Sequence, residues 1–244
     1  MLAALALGGL TQLYISSTYK RWSRVGSANG LTGAQVAETI LNRNGIGAQV
    51  ASTVGVSGAG GSSSPFGRVC PASVRVSRAA DGGALSDHYD PRNNTVTLSG
   101  EVYDEASIAA SAVAAHEVGH ALQHAQGYAW SRIRTTMVPA VNLASSLSWI
   151  LIFAGLLIGF TGLFQVGIAF FAITVLFQVV TLPVEINASS RGLKQLREAR
   201  LLNDGEMGAA RQVLTAAALT YVASALISVM YLMYYLGLGG RRRN

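Results

Sequence analysis

Four segments of the chain are mostly apolar over roughly the 20 residues that a helix needs to cross a bilayer. The second and third contain no Asp, Glu, Lys or Arg. Only Thr161-Gly162 separates them, too short a break for a domain, so they predict a membrane hairpin. Gly155 and Gly159 form a GxxxG pair in its first arm, a pattern that permits close helix packing. The four segments are residues 1–19, 139–160, 163–184 and 213–238.

The first apolar segment, residues 1–19, is the shortest of the four and contains Gln12. No Lys or Arg precedes it, and basic residues follow it at Lys20, Arg21 and Arg24. A secretory signal peptide has the opposite order, with its basic residues first. We therefore expect a membrane anchor. A helix that lies on the membrane surface is the alternative.

Two stretches between the first and second apolar segments have helical periodicity. Residues 31–44 place apolar side chains on one helical face. Thr32 is in the N-cap position, and Gly45 is at the C′ position, where the helix ends. Residues 106–126 are rich in Ala and are also helical in period. The pattern therefore predicts two helices here, of which the first is amphipathic.

Short strands are predicted in the same region. Residues 69–77 alternate loosely, with Val74 and Val76 on one face, and residues 95–99 (TVTLS) follow a turn signal. Residues 55–67, before both strands, are rich in Gly and Ser and predict a flexible loop. TVTLS is interpreted either as an edge strand, to which an extended peptide could add, or as a purely structural strand. Helices and strands together predict a small α+β domain.

The composition agrees with a membrane protein and excludes an ordinary soluble globule. Half of the 244 residues are hydrophobic, only 12% are charged, and the mean hydropathy is +0.37. Soluble domains carry about 25% charged residues. Disorder is excluded as well, because it requires low hydrophobicity and high net charge. The single cysteine, Cys70, cannot form an internal disulfide.

Basic residues are unevenly distributed along the chain, which has a formal net charge of +6 and a pI near 9.8. Of the 18 Lys and Arg residues, ten lie in residues 20–134, five in residues 191–211 and three at the C-terminus. With four spans, the first two groups share one side of the membrane, which the positive-inside rule makes cytoplasmic. The three terminal arginines would lie outside, against the rule. This distribution predicts a lipid bilayer as a partner, and no nucleic acid.

The candidate chemistry lies in an HExxH motif at residues 116–120, inside the second predicted helix. A spacing of four residues places His116 and His120 one turn apart on one face, where two imidazoles can bind the same zinc ion. Glu117 lies beside them, able to accept a proton from a water molecule on that ion. A chance match on an amphipathic helix is the alternative. The helix is otherwise rich in Ala, Gly119 permits close packing, and burying His and Glu without partners is costly, which favours a metal site.

A catalytic zinc ion needs a third protein ligand and one open coordination position. His124 shares the helix face, but eight residues of helix separate it from His116 by about 12 Å, so one ion cannot bind both. We expect His124 to contact substrate or to support the site instead. Glu185 is the better candidate, because it follows an uncharged apolar segment, where an ionisable residue is by default a functional candidate. A solvated acid at the membrane boundary is the alternative.

Several short motifs surround these residues: HEVGHALQH at 116–124, DHYDP at 87–91, TLS at 97–99 and TLPVEINAS at 181–189. In this combination the chain resembles the YugP-like neutral zinc metallopeptidase family of bacterial membrane proteins. The resemblance covers nearly the whole chain apart from the Gly/Ser-rich stretch. It implies an integral-membrane zinc peptidase of gluzincin type with a zincin-like domain. It further implies His116, His120 and Glu185 as metal ligands. Glu117 is implied as the general base.

The chain departs from the family pattern beside the third candidate ligand. The resembling family usually has Asp two residues after the third ligand, where this chain has Asn187. If that Asp orients a zinc-bound histidine, its absence could weaken metal binding by about 10–100-fold.

In the DHYDP motif, His88 or Tyr89 could donate a hydrogen bond to the oxyanion that forms during hydrolysis. A turn closed by Asp90-Pro91 is the equally weighted alternative.

The sequence predicts a mainly α-helical, multi-pass protein of the cell membrane whose small metallopeptidase domain faces the cytoplasm. It would bind one Zn²⁺ per chain and hydrolyse peptide bonds of a polypeptide substrate as an endopeptidase. A membrane scaffold or assembly factor with a structural zinc is the alternative, disfavoured because such sites are often rich in Cys. A transporter is disfavoured as well, because it would show charged or broken helices near the bilayer midplane, which the predicted spans lack.

The predicted domain organisation follows the apolar segments. A membrane anchor comes first, and the peptidase domain precedes the transmembrane hairpin. A helical segment with the third zinc ligand then leads into the last span and a basic tail. In this order the boundaries are 1–19, 20–138, 139–184, 185–212 and 213–244.

Overall fold

The computed structural model describes residues 2–50, 73–79 and 86–241. The described residues are mainly α-helical and form one small sheet, as predicted. The predicted Gly/Ser-rich loop at 55–67 and Cys70 lie outside the described residues. The helices are α1 (Leu2–Ser23), α2 (Gly33–Arg43), α3 (Gly100–Asp104), α4 (Ile108–Ala125), α5 (Ala129–Ile158), α6 (Thr161–Glu198) and α7 (Asp204–Arg241). The strands are β1 (Gly47–Val50), β2 (Ser73–Arg78), β3 (His88–Asp90) and β4 (Thr95–Leu98).

Two compact units make up the chain. The mixed unit, which contains the sheet and α2 to α4, comprises Ile15–Tyr128 and Ile186–Ala217. The apolar unit comprises Met1–Tyr14, Ala129–Glu185 and Ala218–Asn244. The division falls within α1, α6 and α7, and in α6 it comes directly after Glu185.

The sheet of the mixed unit has the strand order β1-β2-β4-β3 among the described residues. β1, β2 and β4 run parallel, and β3 pairs with β4 in antiparallel orientation. Val74 and Val76 of β2 are completely buried on one face, as their predicted alternation requires. Val96 and Leu98 of β4 are completely buried as well. The part of the predicted first strand that precedes Ser73 lies outside the described residues.

The interpretation of TVTLS as an edge strand is wrong. β4 pairs with β2 from Thr95 to Leu98 and with β3 on its other side. Both of its hydrogen-bonding edges are therefore used within the sheet, and an extended peptide cannot add there. The burial of Thr95, Val96 and Leu98 is typical of an interior strand. The edges of the described sheet are β1 and β3.

Helix α2 begins and ends where the sequence predicts. Thr32 is the N-cap of a capping box, in which its Oγ1 accepts from the N–H of Gln35 and the Gln35 side chain accepts from the N–H of Thr32. Gly45 has a φ of +72°, a conformation that ends a helix with little strain in glycine. The buried face of α2 packs against α4 and the sheet.

Helix α4 confirms the helix predicted over residues 106–126. Ser107 is its N-cap, and the Ser107 hydroxyl accepts from the N–H of Ala110. Most of its side chains are buried, because its small alanines allow neighbouring elements to approach on several sides. The HExxH motif lies in the third and fourth turns of this buried helix.

Three helices of the described chain are long and apolar enough to cross a membrane: α5 over Ala129–Ile158, α6 over Thr161–Glu198 and α7 over Asp204–Gly239. They contain three of the four predicted spans. α1 is a helix of 22 residues over the remaining predicted span, but it is not among these candidates. α6 continues without interruption for 38 residues, so the third apolar segment and Glu185 belong to one helix.

Glycines bring α5 and α6 together, but not through the predicted pair. A Cβ on Gly155 would lie 2.5 Å from the backbone N of Phe164, and one on Gly167 would lie 2.7 Å from the backbone N of Ile152. Gly159 instead follows the end of α5 with a φ of +74°, and a Cβ there would meet nothing within 4 Å. The predicted GxxxG pairing is therefore wrong for this hairpin, because Gly159 forms the turn.

Candidate metal centre

Helices α4 and α6 are in backbone contact within the mixed unit. A Cβ on Gly119 of α4 would lie 2.4 Å from the carbonyl oxygen of Ala188 in α6, and one on Gly192 would lie 2.8 Å from the carbonyl oxygen of Ala115. Only glycine fits at both positions without a shift of the backbone. The prediction that Gly119 permits close packing is therefore confirmed. The contact sets the turn of α6 after Glu185 against the turn of α4 that carries HExxH.

Three side chains that can bind a metal ion converge here. The rings of His116 and His120 have centroids 4.8 Å apart and planes inclined by 82°. One ligand atom from each of these histidines and one from Glu185 all lie within 4.8 Å of one another. The Glu185 side chain is buried, with 2% of the residue exposed. Two imidazoles and a carboxylate are a donor set of catalytic zinc sites that keep a fourth position open, so these residues fit a zinc ion.

Two further charged side chains lie near these ligands, Glu117 by its place in the sequence and Arg134 by its distance from Glu185. Glu117 follows His116 directly in α4 and is only 7% exposed. Nη2 of Arg134 in α5 lies 3.9 Å from Oε1 of Glu185. An opposite charge at this distance offsets part of the cost of burying the Glu185 carboxylate. Sequence reasoning missed Arg134, because nothing in the local pattern pairs it with a residue so far along the chain.

Each candidate ligand histidine is held at its Nδ1 atom. Nδ1 of His116 lies 3.1 Å from Oγ of Ser189, and Nδ1 of His120 lies 3.1 Å from Oε1 of Gln123. Contacts of this kind fix the orientation of an imidazole ring and leave Nε2 to face a metal ion. Ser189 comes from α6 and Gln123 from α4, so both helices orient the rings.

Asn187 reaches His120 through Gln123. Nε2 of Gln123 donates to Oδ1 of Asn187 over 3.0 Å, and Nε of Arg191 donates to the same oxygen over 2.7 Å. Sequence reasoning missed Gln123, Ser189 and Arg191 as members of the site. A signal was present for two of them, because side chains three or four residues apart on a helix meet. Gln123 follows His120 by three residues, and Arg191 follows Asn187 by four.

The other two histidines have different surroundings. His124 is not part of the three-residue cluster in the described chain; its Nδ1 lies 2.7 Å from the phenolic oxygen of Tyr89 in β3. Burial raises the pKa of the Tyr89 phenol, and Asp90 adds to the effect, so Tyr89 stays a neutral hydroxyl. His88 is exposed, and its Nδ1 lies 2.9 Å from the carbonyl oxygen of Ser86. Its role as an oxyanion donor stays a prediction.

Two comparisons relate the whole chain to known proteins. The sequence profile of a family described as "Putative neutral zinc metallopeptidase" matches residues 1–61 and 48–239. The chain is also similar to the protein named "Putative membrane protease YugP" from Bacillus subtilis (strain 168). The two are 37% identical over 245 residues, which cover 100% of this chain and 97% of that protein. No solved structure matches the chain.

We expect Gly119→Ala to destabilise the protein and to lower its zinc affinity. The new Cβ would lie 2.4 Å from the Ala188 carbonyl oxygen, so α6 would have to move away from α4. Overpacking of this kind costs about 1–3 kcal/mol, and the same movement would draw Glu185 away from the histidines. Thermal unfolding and competition with a zinc chelator measure the two effects.

Gly208→Ala is the matched control for this variant. Gly208 also lies within a helix, α7, and a Cβ there would meet nothing within 4 Å. This variant should bind zinc like the wild type and unfold at the same or a higher temperature, since Ala is the better helix former. Unchanged stability and zinc affinity in Gly119→Ala would contradict the backbone contact.

Proposed function

The chain belongs to the neutral zinc metallopeptidase family, and we propose that it is a membrane-embedded zinc endopeptidase of gluzincin type with a polypeptide substrate. The observation that carries the proposal is the convergence of His116, His120 and Glu185, with ligand atoms within 4.8 Å of one another. These three side chains would hold one zinc ion per chain. When bound, the ion would polarise the scissile carbonyl and activate a water molecule for attack.

Glu117 is the proposed general base. Its carboxylate would accept the proton of the attacking water and deliver it to the leaving amine. Its burial supports this role, because in a site withdrawn from bulk water the carboxylate acts on the reacting atoms without competition from solvent. A purely structural zinc site would not need such a base. The buried Glu117 therefore favours a peptidase over a scaffold with structural zinc.

His88 is the proposed hydrogen-bond donor to the oxyanion. It is exposed on β3, an edge strand of the described sheet. The next residue, Tyr89, contacts His124, which lies one turn beyond His120 in α4. β3 therefore lies beside the end of α4 that follows the HExxH motif. A donor in this region would stabilise negative charge that develops on the substrate carbonyl oxygen.

We further propose four membrane spans, with α1 as the anchor and the zincin-like domain in the cytoplasm. The apolar parts of α5 and α6 form a hairpin over residues 139–184, so the chain before residue 139 and the chain after residue 184 share one side. Fifteen of the 18 Lys and Arg residues lie in these parts, at 20–134 and 191–211, and the positive-inside rule favours the cytoplasm for them. The peptidase domain would comprise residues 20–138 and 185–212. The anchor, hairpin and last span would comprise 1–19, 139–184 and 213–244.

The variant Glu117→Gln should retain zinc and lose hydrolysis. All three ligands remain, but an amide cannot accept the proton, and removing a general base costs about 10²–10⁴-fold in rate. Cleavage of an unfolded protein by the detergent-purified chain, with and without chelator, measures the loss, and elemental analysis measures zinc. Glu198→Gln in α6 is the matched control, because Glu198 is exposed and pairs with Lys194. Undiminished cleavage by Glu117→Gln would refute the role of the base.

Replacing the two candidate third ligands separates them. Glu185→Ala should lose zinc and activity together, because a buried carboxylate donor disappears. His124→Ala should keep its zinc and change activity less, since its Nδ1 contacts Tyr89. Zinc content and peptidase rate are measured on both variants. If His124→Ala empties the site while Glu185→Ala retains zinc, the ligand assignment and the gluzincin arrangement both fail.

Cysteine labelling tests the proposed orientation. In a Cys70→Ser background, Asn93→Cys places a thiol at an exposed position of the mixed unit, and Thr161→Cys places one at the exposed start of α6, directly after its turn from α5. A membrane-impermeant maleimide added to intact cells should label Thr161→Cys and spare Asn93→Cys. Both should react once the cells are lysed. The opposite pattern in intact cells would reverse the orientation.

A further inference from the structure

Arg191 is held in one orientation on α6 by three neighbours. Its Nε donates to Oδ1 of Asn187 over 2.7 Å, and its Nη1 donates to Oε1 of Gln126. Its guanidinium carbon lies 5.7 Å from the centroid of the Tyr128 ring. A guanidinium group carries only donors, so the Asn187 atom that faces it is the carbonyl oxygen. Arg191 therefore fixes how the Asn187 amide is turned.

The same oxygen of Asn187 fixes the amide of Gln123. Nε2 of Gln123 lies 3.0 Å from Oδ1 of Asn187. Because this oxygen only accepts, Gln123 must present its NH₂ group there. Its Oε1 then faces Nδ1 of His120 at 3.1 Å. Gln123 is completely buried, so bulk water does not compete for its amide group.

The orientation of Gln123 determines which nitrogen of His120 carries a hydrogen. An amide oxygen accepts and never donates, so Nδ1 of His120 must be the donor in this contact. In a neutral imidazole, a hydrogen on Nδ1 leaves the lone pair on Nε2. Arg191, Asn187 and Gln123 together form what we term the amide relay.

We propose that the amide relay fixes His120 as the Nδ1–H tautomer and so presents the Nε2 lone pair to the metal ion. The inference rests on the proposed zinc site. It makes Gln123, Asn187 and Arg191 positioning residues that act through His120. Without the relay, His120 would divide between two tautomers, and only one of them offers Nε2 as a ligand.

His116 provides a comparison within the same site. Its Nδ1 lies 3.1 Å from the hydroxyl oxygen of Ser189. A hydroxyl can donate or accept, so this contact is compatible with either tautomer of His116. The relay differs because it ends at Arg191, which cannot accept a hydrogen bond. Because Arg191 can only donate, it determines which atom donates and which accepts in each hydrogen bond between Arg191 and His120.

The relay also explains why Asn187 can stand where the resembling family usually has Asp. Position 187 has to accept two hydrogens, one from Arg191 and one from Gln123. A carboxylate accepts the same two hydrogens, so Asn187→Asp should preserve the relay. Leucine has nearly the shape of asparagine but accepts none, so Asn187→Leu should break it.

Two measurements on the full-length protein in detergent test the relay. ¹⁵N NMR of the zinc-free protein, labelled in its four histidines and held at a pH where imidazoles are neutral, reports each tautomer. His88→Gln, His116→Gln and His124→Gln assign three of the four signals by their loss, and the remaining signal is that of His120. Competition with a chelator reports zinc affinity. We expect Nδ1–H at His120 in the wild type and in Asn187→Asp, which should bind zinc at least as tightly. Asn187→Leu should show mixed tautomers and about 10–100-fold weaker zinc binding.

Asn44→Leu is the matched control, the same substitution at another contact of α6. The Asn44 side chain donates to the carbonyl oxygen of Ile40 and to Oε1 of Gln195. Its loss should lower thermal stability and leave the His120 tautomer and the zinc affinity unchanged. Arg191→Met is the second test variant should Asn187→Leu fail to fold. It removes the donor-only end and should also give mixed tautomers.

Three results would overturn the relay. One is an Nε2–H tautomer at His120 in the wild type. Another is an unchanged tautomer and zinc affinity in Asn187→Leu, and the third is an unchanged tautomer in Arg191→Met. The tautomer is measured without zinc and without substrate. A protein that shows Nδ1–H at His120 but cleaves no peptide would therefore refute the proposed function and leave the relay standing.

Discussion

The backbone contact between α4 and α6 is the constraint on which the candidate metal centre depends. Helix axes usually lie 8–10 Å apart, and glycine at the contact allows a closer approach. Here Gly119 lies within the HExxH motif itself, and Gly192 meets the carbonyl oxygen of Ala115 just before it. The contact sets the sequence after Glu185 against both histidines. A side chain at either glycine would separate the donors that one ion must bind together.

Burial imposes a second requirement on the same residues. Glu117 and Glu185 are 7% and 2% exposed, and a charge withdrawn from water is costly unless other groups compensate. Arg134 compensates part of the charge on Glu185. The partly buried polar network around the imidazoles meets the same need, and satisfied networks of this kind are rigid. The polar groups that burial makes necessary therefore also orient the metal ligands.

Signals within single helices predicted much of the fold. The features that the sequence did not predict depend on contacts between residues far apart in the chain. The capping box at Thr32 and the spacing of HExxH are contained within single helices, so the sequence is sufficient to find them. Whether TVTLS is an edge strand depends on β3, which is only three residues long and gives little periodic signal. The contact of Arg134 with Glu185 joins separate helices, and no local spacing encodes it.

Zinc K-edge X-ray absorption of the full-length protein, purified in detergent without chelators, tests the central claim most directly. Its fine structure counts imidazole ligands and distinguishes nitrogen and oxygen from sulfur. We predict two imidazoles, with the remaining ligands oxygen, at about 2.0–2.2 Å. A third imidazole would mean that His124 or His88 binds the ion, and a sulfur ligand would mean that Cys70 does. Either result, or the absence of zinc, would contradict a centre built from His116, His120 and Glu185.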